Sequence, residues 1–138
     1  MASVQQSAID KDITLTSDIQ TGNFVYIRED KTRLQQIMLN IISNAVKYTL
    51  RGGHVHIVVK NHPTDQQGHN TLFTVTDDGI GMSREFLAHV FEPFSQEHRQ
   101  ESANVVGTGL GLSIVKKTVQ LLNGRISVRS RIHEGTCF

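Results

Sequence analysis

Leu34-Gln35-Gln36-Ile37-Met38-Leu39-Asn40-Ile41-Ile42-Ser43-Asn44-Ala45-Val46-Lys47 is the stretch that decides the fold. Its apolar residues Leu34, Ile37, Met38, Ile41, Ile42, Ala45 and Val46 recur at i, i+3, i+4 and i+7, the signature of a helix with one buried face. Asp30 stands where a side-chain oxygen accepts an otherwise unpaired backbone N–H, so the helix is expected to start there and run to about Thr49, with Gly52-Gly53 stopping it. A second amphipathic helix is expected from roughly Leu110 to Leu122, with Ser113, Lys116, Lys117 and Gln120 on one polar stripe and Asn123-Gly124 as a left-handed cap.

Short alternating runs flank both helices. Ile13 and Leu15 alternate with Thr14 and Thr16, a further strand is expected from Asn23 to Arg28, and Val55, Ile57 and Val59 alternate with polar neighbours. Polar residues from Asn61 to Asn70 read as a hairpin-like loop, after which Leu72, Phe73 and Val75 lead a strand into Asp77. A short helix near Ser83, a strand through Ile126, Val128 and Ser130, a turn at His133-Glu134-Gly135 and the start of another strand at Thr136 complete the chain. This order predicts an α+β domain: a two-layer α/β sandwich with a mixed, mostly antiparallel sheet and its helices packed on one face. Residues 95 to 106 hold almost nothing apolar and read as a mobile surface loop, and residues 1 to 8 as a disordered end.

At 138 residues the sequence has the length of one domain, able to bury roughly two-thirds of its unfolded surface. Its composition, 38% apolar and 20% charged, is that of an ordinary globular protein, and a formal net charge of +1 gives no field that implies nucleic acid or anionic lipid. No apolar run approaches the ~18 residues of a membrane helix. A lone Cys137 excludes an intramolecular disulfide and suits a reducing compartment.

Three polar constellations stand out. Asn40, Asn44 and Lys47 fall within about 60° of one another around the first helix, beside its apolar arc, where a cleft would open. An Asn oxygen suits Mg²⁺ that already has phosphate partners, and Lys47 can meet phosphate as a point charge; the competing reading is a solvated helix flank. Asp77-Asp78-Gly79-Ile80-Gly81 ends a strand, where a carboxylate can accept from an amino group and glycines admit a flat ring; a simple Asp-Gly turn competes. Gly107-Thr108-Gly109-Leu110-Gly111-Leu112 opens a helix, whose unpaired N–H groups bind phosphate, although its G-x-G-x-G spacing is neither that of dinucleotide folds nor that of a P-loop.

In order and spacing these pieces resemble the sensor histidine kinase branch of the GHKL ATPases over nearly the whole chain. Asn40 to Thr49 is similar to the N box of that family, Asp77 to Gly81 to its first glycine box, and Phe91-Glu92-Pro93-Phe94 to its F box. Gly107 to Leu112 is similar to the second glycine box and Gly135-Thr136-Cys137-Phe138 to the terminal G-T-x-F element. The resemblance implies that ATP and Mg²⁺ are the cofactors. Asp77 would bind the adenine amine, supported by Thr136, with Gly79 and Gly81 admitting the base. Asn44 would coordinate Mg²⁺ beside Asn40, while Lys47 and Tyr48 would contact phosphate or ribose. Gly107, Thr108, Gly109, Leu110 and Gly111 would cradle phosphates and hinge an ATP lid at residues 95–106, from which Arg99 could reach the γ-phosphate. Phe91 and Phe94 would act both as core packing and as the apolar anchor under that lid.

On this reading Asn44 and Lys47 carry the phosphoryl donor's chemistry, and the acceptor is a histidine on a separate dimerisation module. A response regulator would lie one step further on. None of the seven histidines sits in a His-Glu context preceding a helix, so the isolated domain is not expected to phosphorylate itself, and without the dimerisation helices it is expected to be a monomer. It is expected to be a cytoplasmic domain of a parent that could be membrane-anchored. The family normally continues its last strand for several residues past the position of Phe138, so that strand is expected to be truncated here. Two rivals remain: a nucleotide-binding regulatory module without phosphotransfer, and another GHKL-type ATPase, hydrolytic or serine-directed. Hydrolytic members generally place a Glu base early in the N-box helix, where Arg33, Gln36 and Asn40 stand here.

Overall fold

The computed structural model describes residues 2–21, 30–63 and 69–138. The expected strand from Asn23 to Arg28 and the middle of the 61–70 loop therefore lie largely outside the described residues. In chain order the elements are α1 (Ala2–Asp10), β1 (Thr14–Gln20), α2 (Lys31–Tyr48), β2 (His54–Pro63), β3 (His69–Asp77), α3 (Arg84–Leu87), a 3₁₀ turn (Gln100–Ser102), α4 (Gly111–Leu121), β4 (Arg129–Arg131) and β5 (Gly135–Cys137).

Both long helices form for the reasons their sequences give. Asp30 caps α2 by accepting from the backbone N–H groups of Thr32 and Arg33, at 2.9 and 3.2 Å. The helix ends at Tyr48 because Thr49 turns to extended backbone; its buried hydroxyl donates to the Ala45 carbonyl at 2.7 Å. At the end of α4, Asn123 takes a left-handed φ of 56° and Gly124 N donates to Val119 O at 2.9 Å. The polar stripe of α4 differs from expectation. Ser113 is buried, its hydroxyl satisfied by Leu110 O at 2.8 Å, whereas Leu121 is exposed.

The five strands make one sheet in the order β1-β2-β3-β5-β4. Only β1 and β2 run parallel, joined across α2; the other pairs are antiparallel. Ile37, Ile41, Ala45 and Val46 of α2 share one buried cluster with Val115 of α4, Val55 of β2 and Val75 of β3. That cluster puts the helices on one face, giving the α+β two-layer sandwich expected from the sequence.

Two expectations are corrected. Residues 2–10 are a helix and not a disordered end, because Ala8 is buried in the main cluster and Val4, one turn earlier, packs against it. The strand expected through Ile126 and Val128 shrinks to Arg129–Arg131. It pairs with β5 over three rungs, Arg129 with Cys137, Ser130 with Thr136 and Arg131 with Gly135.

Candidate functional site

Asp77 ends β3 and is buried, with its carboxylate accepting from Gly79 N at 2.9 Å. Burial is the main cause that pushes its carboxyl up to about 6; the backbone N–H groups of Gly79 and Thr136 pull the other way and the Asp78 charge adds a little. Its neighbour Asp78 faces outward, as strand alternation requires. There burial raises the carboxyl, yet the net shift is downward, because His54 gives it a backbone N–H at 2.7 Å, a ring nitrogen at 2.9 Å and its charge. Adjacent carboxylates thus sit on opposite sides of the ordinary range.

The Asp77–Gly81 loop is pressed onto the end of α2. Ile80 N donates to Tyr48 O at 3.1 Å, and a Cβ at Gly79 would lie 2.4 Å from that oxygen. On the other flank Gly81, at φ +63°, passes so close to β4 that a Cβ would fall 1.8 Å from Arg131 O. Ser130 of β4 ties this end together: its hydroxyl donates to Gly135 O at 2.7 Å, accepts from Met82 N at 2.9 Å and lies 2.9 Å from Thr136 Oγ1.

The polar stripe of α2 faces the glycine-rich loop. A Cβ at Gly107 would meet Lys47 Nζ at 3.0 Å, and one at Gly111 would meet Asn40 Oδ1 at 3.3 Å. Gly109, at φ +72°, packs on the Phe94 backbone, whose N–H donates to Gly109 O at 3.0 Å. Phe91 packs edge-on against Phe138 with ring centroids 6.4 Å apart, but Phe94 is 75% exposed, so only one ring of the pair anchors.

One cavity gathers these parts. Asn40, Asn44, Lys47, Tyr48, Asp77, Gly81, Gly107, Thr108, Gly109, Gly111 and Thr136 line it. Gly79 and Leu110, expected at the site, are not among its lining residues. Arg99 does not line the cavity either; its guanidinium donates to the carbonyls of Ile80 and Gly81 at 3.1 and 2.7 Å, at the Asp77 end of the site. Sequence reading missed Ser130 and Gln96, whose amide donates to the Gly107 carbonyl. A hairpin about His133-Glu134 would have put Ser130 opposite Thr136, but only once the pairing register was known.

The cavity thus has a buried carboxylate at one end and, at the other, a lysine, two amides along a helix and a glycine loop at a helix N-terminus. The sequence profile described as histidine kinase-, DNA gyrase B- and HSP90-like ATPase matches residues 29–138. The chain belongs to this GHKL ATPase family.

Within the family its curated relatives are histidine kinases. It is 41% identical over 113 residues to the autoinducer 2 sensor kinase/phosphatase LuxQ of Vibrio vulnificus, covering 81% of this chain and 13% of that protein. It is 36% identical over 136 residues to the circadian input-output histidine kinase CikA of Synechococcus elongatus, covering 98% and 17%. The chain therefore spans less than a fifth of these curated relatives. Among solved structures, full-length ShkA in complex with AMPPNP superposes with a TM-score of 0.79 at 29% identity, over 99% of this chain and 27% of that one. The chain is thus a histidine kinase-type GHKL ATPase domain. Among the described residues no helix is long and apolar enough to cross a membrane.

Proposed function

We propose that this domain binds Mg-ATP in the shared cavity and donates the γ-phosphate to a histidine on the dimerisation module of its parent sensor kinase, which would in turn supply a response regulator. The observation that carries the reading is the convergence of Asp77, Asn44, Lys47 and the glycine loop, far apart in sequence, on a single cavity. Asp77 accepts from the adenine amine, Thr136 supports it with its hydroxyl held by Ser130, and Gly81 leaves room for the ring. Lys47 and the backbone N–H groups around Gly107 to Gly111 take the phosphates, with Tyr48 beside them.

The donor set fits Mg²⁺. Asn44, with Asn40 on the same stripe, offers neutral amide oxygens, suited to an ion held mostly by phosphate. No cluster of three or more His, Cys, Asp or Glu able to hold a metal without a nucleotide occurs among the described residues. The ion would supply charge neutralisation across the phosphates; the protein supplies orientation, which is most of what phosphoryl transfer asks of it.

Hydrolysis is disfavoured by the same lining. Its carboxylates are Asp77, at the base end, and Glu97, which accepts from Ser83 N at 3.2 Å and pairs with Arg99 at 3.6 Å. No acidic residue occurs in α2, so that helix offers no carboxylate to activate a water beside Asn44. Incubation with γ-labelled ATP and Mg²⁺ should leave the chain unlabelled, and label should pass to a cognate acceptor module added in trans. Acid-labile label on a resident histidine, or rapid ATP turnover with no transfer in trans, would overturn the reading.

A further inference from the structure

The last turn of α2 is gripped from two sides. On the cavity side, the Tyr48 carbonyl accepts from Ile80 N in the Asp77–Gly81 loop. On the far side, Lys11 Nζ donates to the carbonyls of Val46, Lys47 and Thr49, at 2.9, 2.9 and 2.5 Å. A helix end leaves four carbonyls unpaired, and an ammonium has three donors; here every donor is engaged on that end. Its positive charge also complements the negative pole of the helix.

The backbone at Lys11 is itself fixed against the residues that follow α2. Gly52 N donates to Lys11 O at 2.9 Å, Thr14 N to Gly53 O at 2.9 Å, and Arg51 to Asp10 O at 3.0 Å. Lys11 therefore does not reach across as a loose surface side chain. Burial draws its ammonium below the ordinary lysine range, the direction that desolvation of a cation gives. The turn it holds carries the side chains of Lys47 and Tyr48 into the cavity, and its remaining carbonyl holds the base-end loop.

We propose that Lys11 is a positioning residue for the nucleotide pocket: by capping the last turn of α2 from behind, it sets Lys47, Tyr48 and the Asp77–Gly81 loop in register with one another. This rests on the nucleotide reading of the cavity and adds to it a residue outside every recognised motif. If Lys11 served only to stabilise the fold, removing it would lower the melting temperature and leave the pocket of the folded molecules unchanged.

The test uses the full chain with Lys11→Met and Lys11→Arg, studied well below their melting temperatures. Two quantities are read: hydrogen exchange at the Ile80 amide without nucleotide, and calorimetric affinity for a non-hydrolysable ATP analogue with Mg²⁺. In Lys11→Met, Ile80 exchange should rise and affinity should fall, each by about tenfold, as expected for losing charge-assisted hydrogen bonds. Lys11→Arg, which keeps charge and donors, should stay within about threefold of the parent, roughly half a decade. A folded but less stable Lys11→Met with parental Ile80 exchange and parental affinity would overturn the proposal, as would a Lys11→Arg no better than Lys11→Met. Should Lys11→Met not fold, Lys11→Gln is read in the same way, with the same two outcomes. If the parent binds no nucleotide, the proposed function falls, while unchanged Ile80 exchange is what removes Lys11 from its positioning role.

Discussion

Asp77 is held in a position that opposes folding once its carboxylate is ionised. Its carboxyl sits at about 6 in the folded protein against an ordinary 3.8, so folding favours the protonated form. The sign follows from linkage: a raised folded value means stability that is fully present below about 3.8 and lost as pH rises through about 6. Asp77→Asn should therefore stabilise the nucleotide-free protein at pH 7.5, by on the order of 2–3 kcal/mol. The same variant should bind adenosine much more weakly, since an amide no longer offers a charged acceptor, at a loss of about 1.5–3 kcal/mol. Denaturant unfolding from pH 4 to 8 checks the first point: the parent should lose stability through that window relative to Asp77→Asn. Adenosine calorimetry checks the second, because no phosphate titrates in the window. Equal stability curves for the two proteins would remove the buried-charge account.

Gly81 makes a complementary case, where space decides. A side chain there would collide with Arg131 O and take a φ of +63°, so Gly81→Ala should cost about 1–3 kcal/mol of stability and shift Met82 away from Ser130. Thermal unfolding gives the magnitude, and a parental melting temperature would contradict the close approach.

At the scale of elements, α2 and α4 were legible because each repeats a strong period over three or more turns and closes with a recognisable cap. The N-terminal helix was not, because it commits to the core through one alanine and one valine. Val4 and Ala8 are four residues apart, yet among Ser3, Gln5, Gln6 and Ser7 they make too faint a stripe to separate from a frayed end. Ala8 is nevertheless packed without slack. Ala8→Leu should overfill the site and cost about 1–3 kcal/mol, read as a lowered unfolding midpoint; a neutral outcome would mean that α1 docks loosely. The site was legible through its glycines, Asp77 and the Asn-Lys stripe, whose spacings are local. Lys11 and Ser130 were illegible as neighbours of the pocket, since each is brought there by register or docking that no local pattern encodes. Arg99 shows the limit well: its place in the 95–106 segment was readable, but its aim at the Ile80 and Gly81 carbonyls was not.

Across the whole molecule, the two layers are unevenly closed. At the Asp77 end the sheet, α2 and the glycine loop meet around the cavity. Toward the far end of β3, the last rung is the reciprocal pair between Val75 and Phe138, each donating at 2.9 Å. Two residues further along β3, Phe73 presents its backbone to the same side with no facing strand among the described residues, above an open groove of about 1020 Å³ lined by Ile37, Met38, Ile41, Val119 and Ile126. The Phe73 amide should therefore exchange its hydrogen far faster than the Val75 amide; equal protection would show that something shelters it.

That groove has a colloidal consequence. An extended backbone segment with no facing strand among the described residues, beside a groove lined in part by apolar side chains, is adhesive toward any other extended chain. Dilute samples should scatter light as single particles, while concentrated ones should thicken into clumps, and a lysine placed at Phe73 should keep them clear.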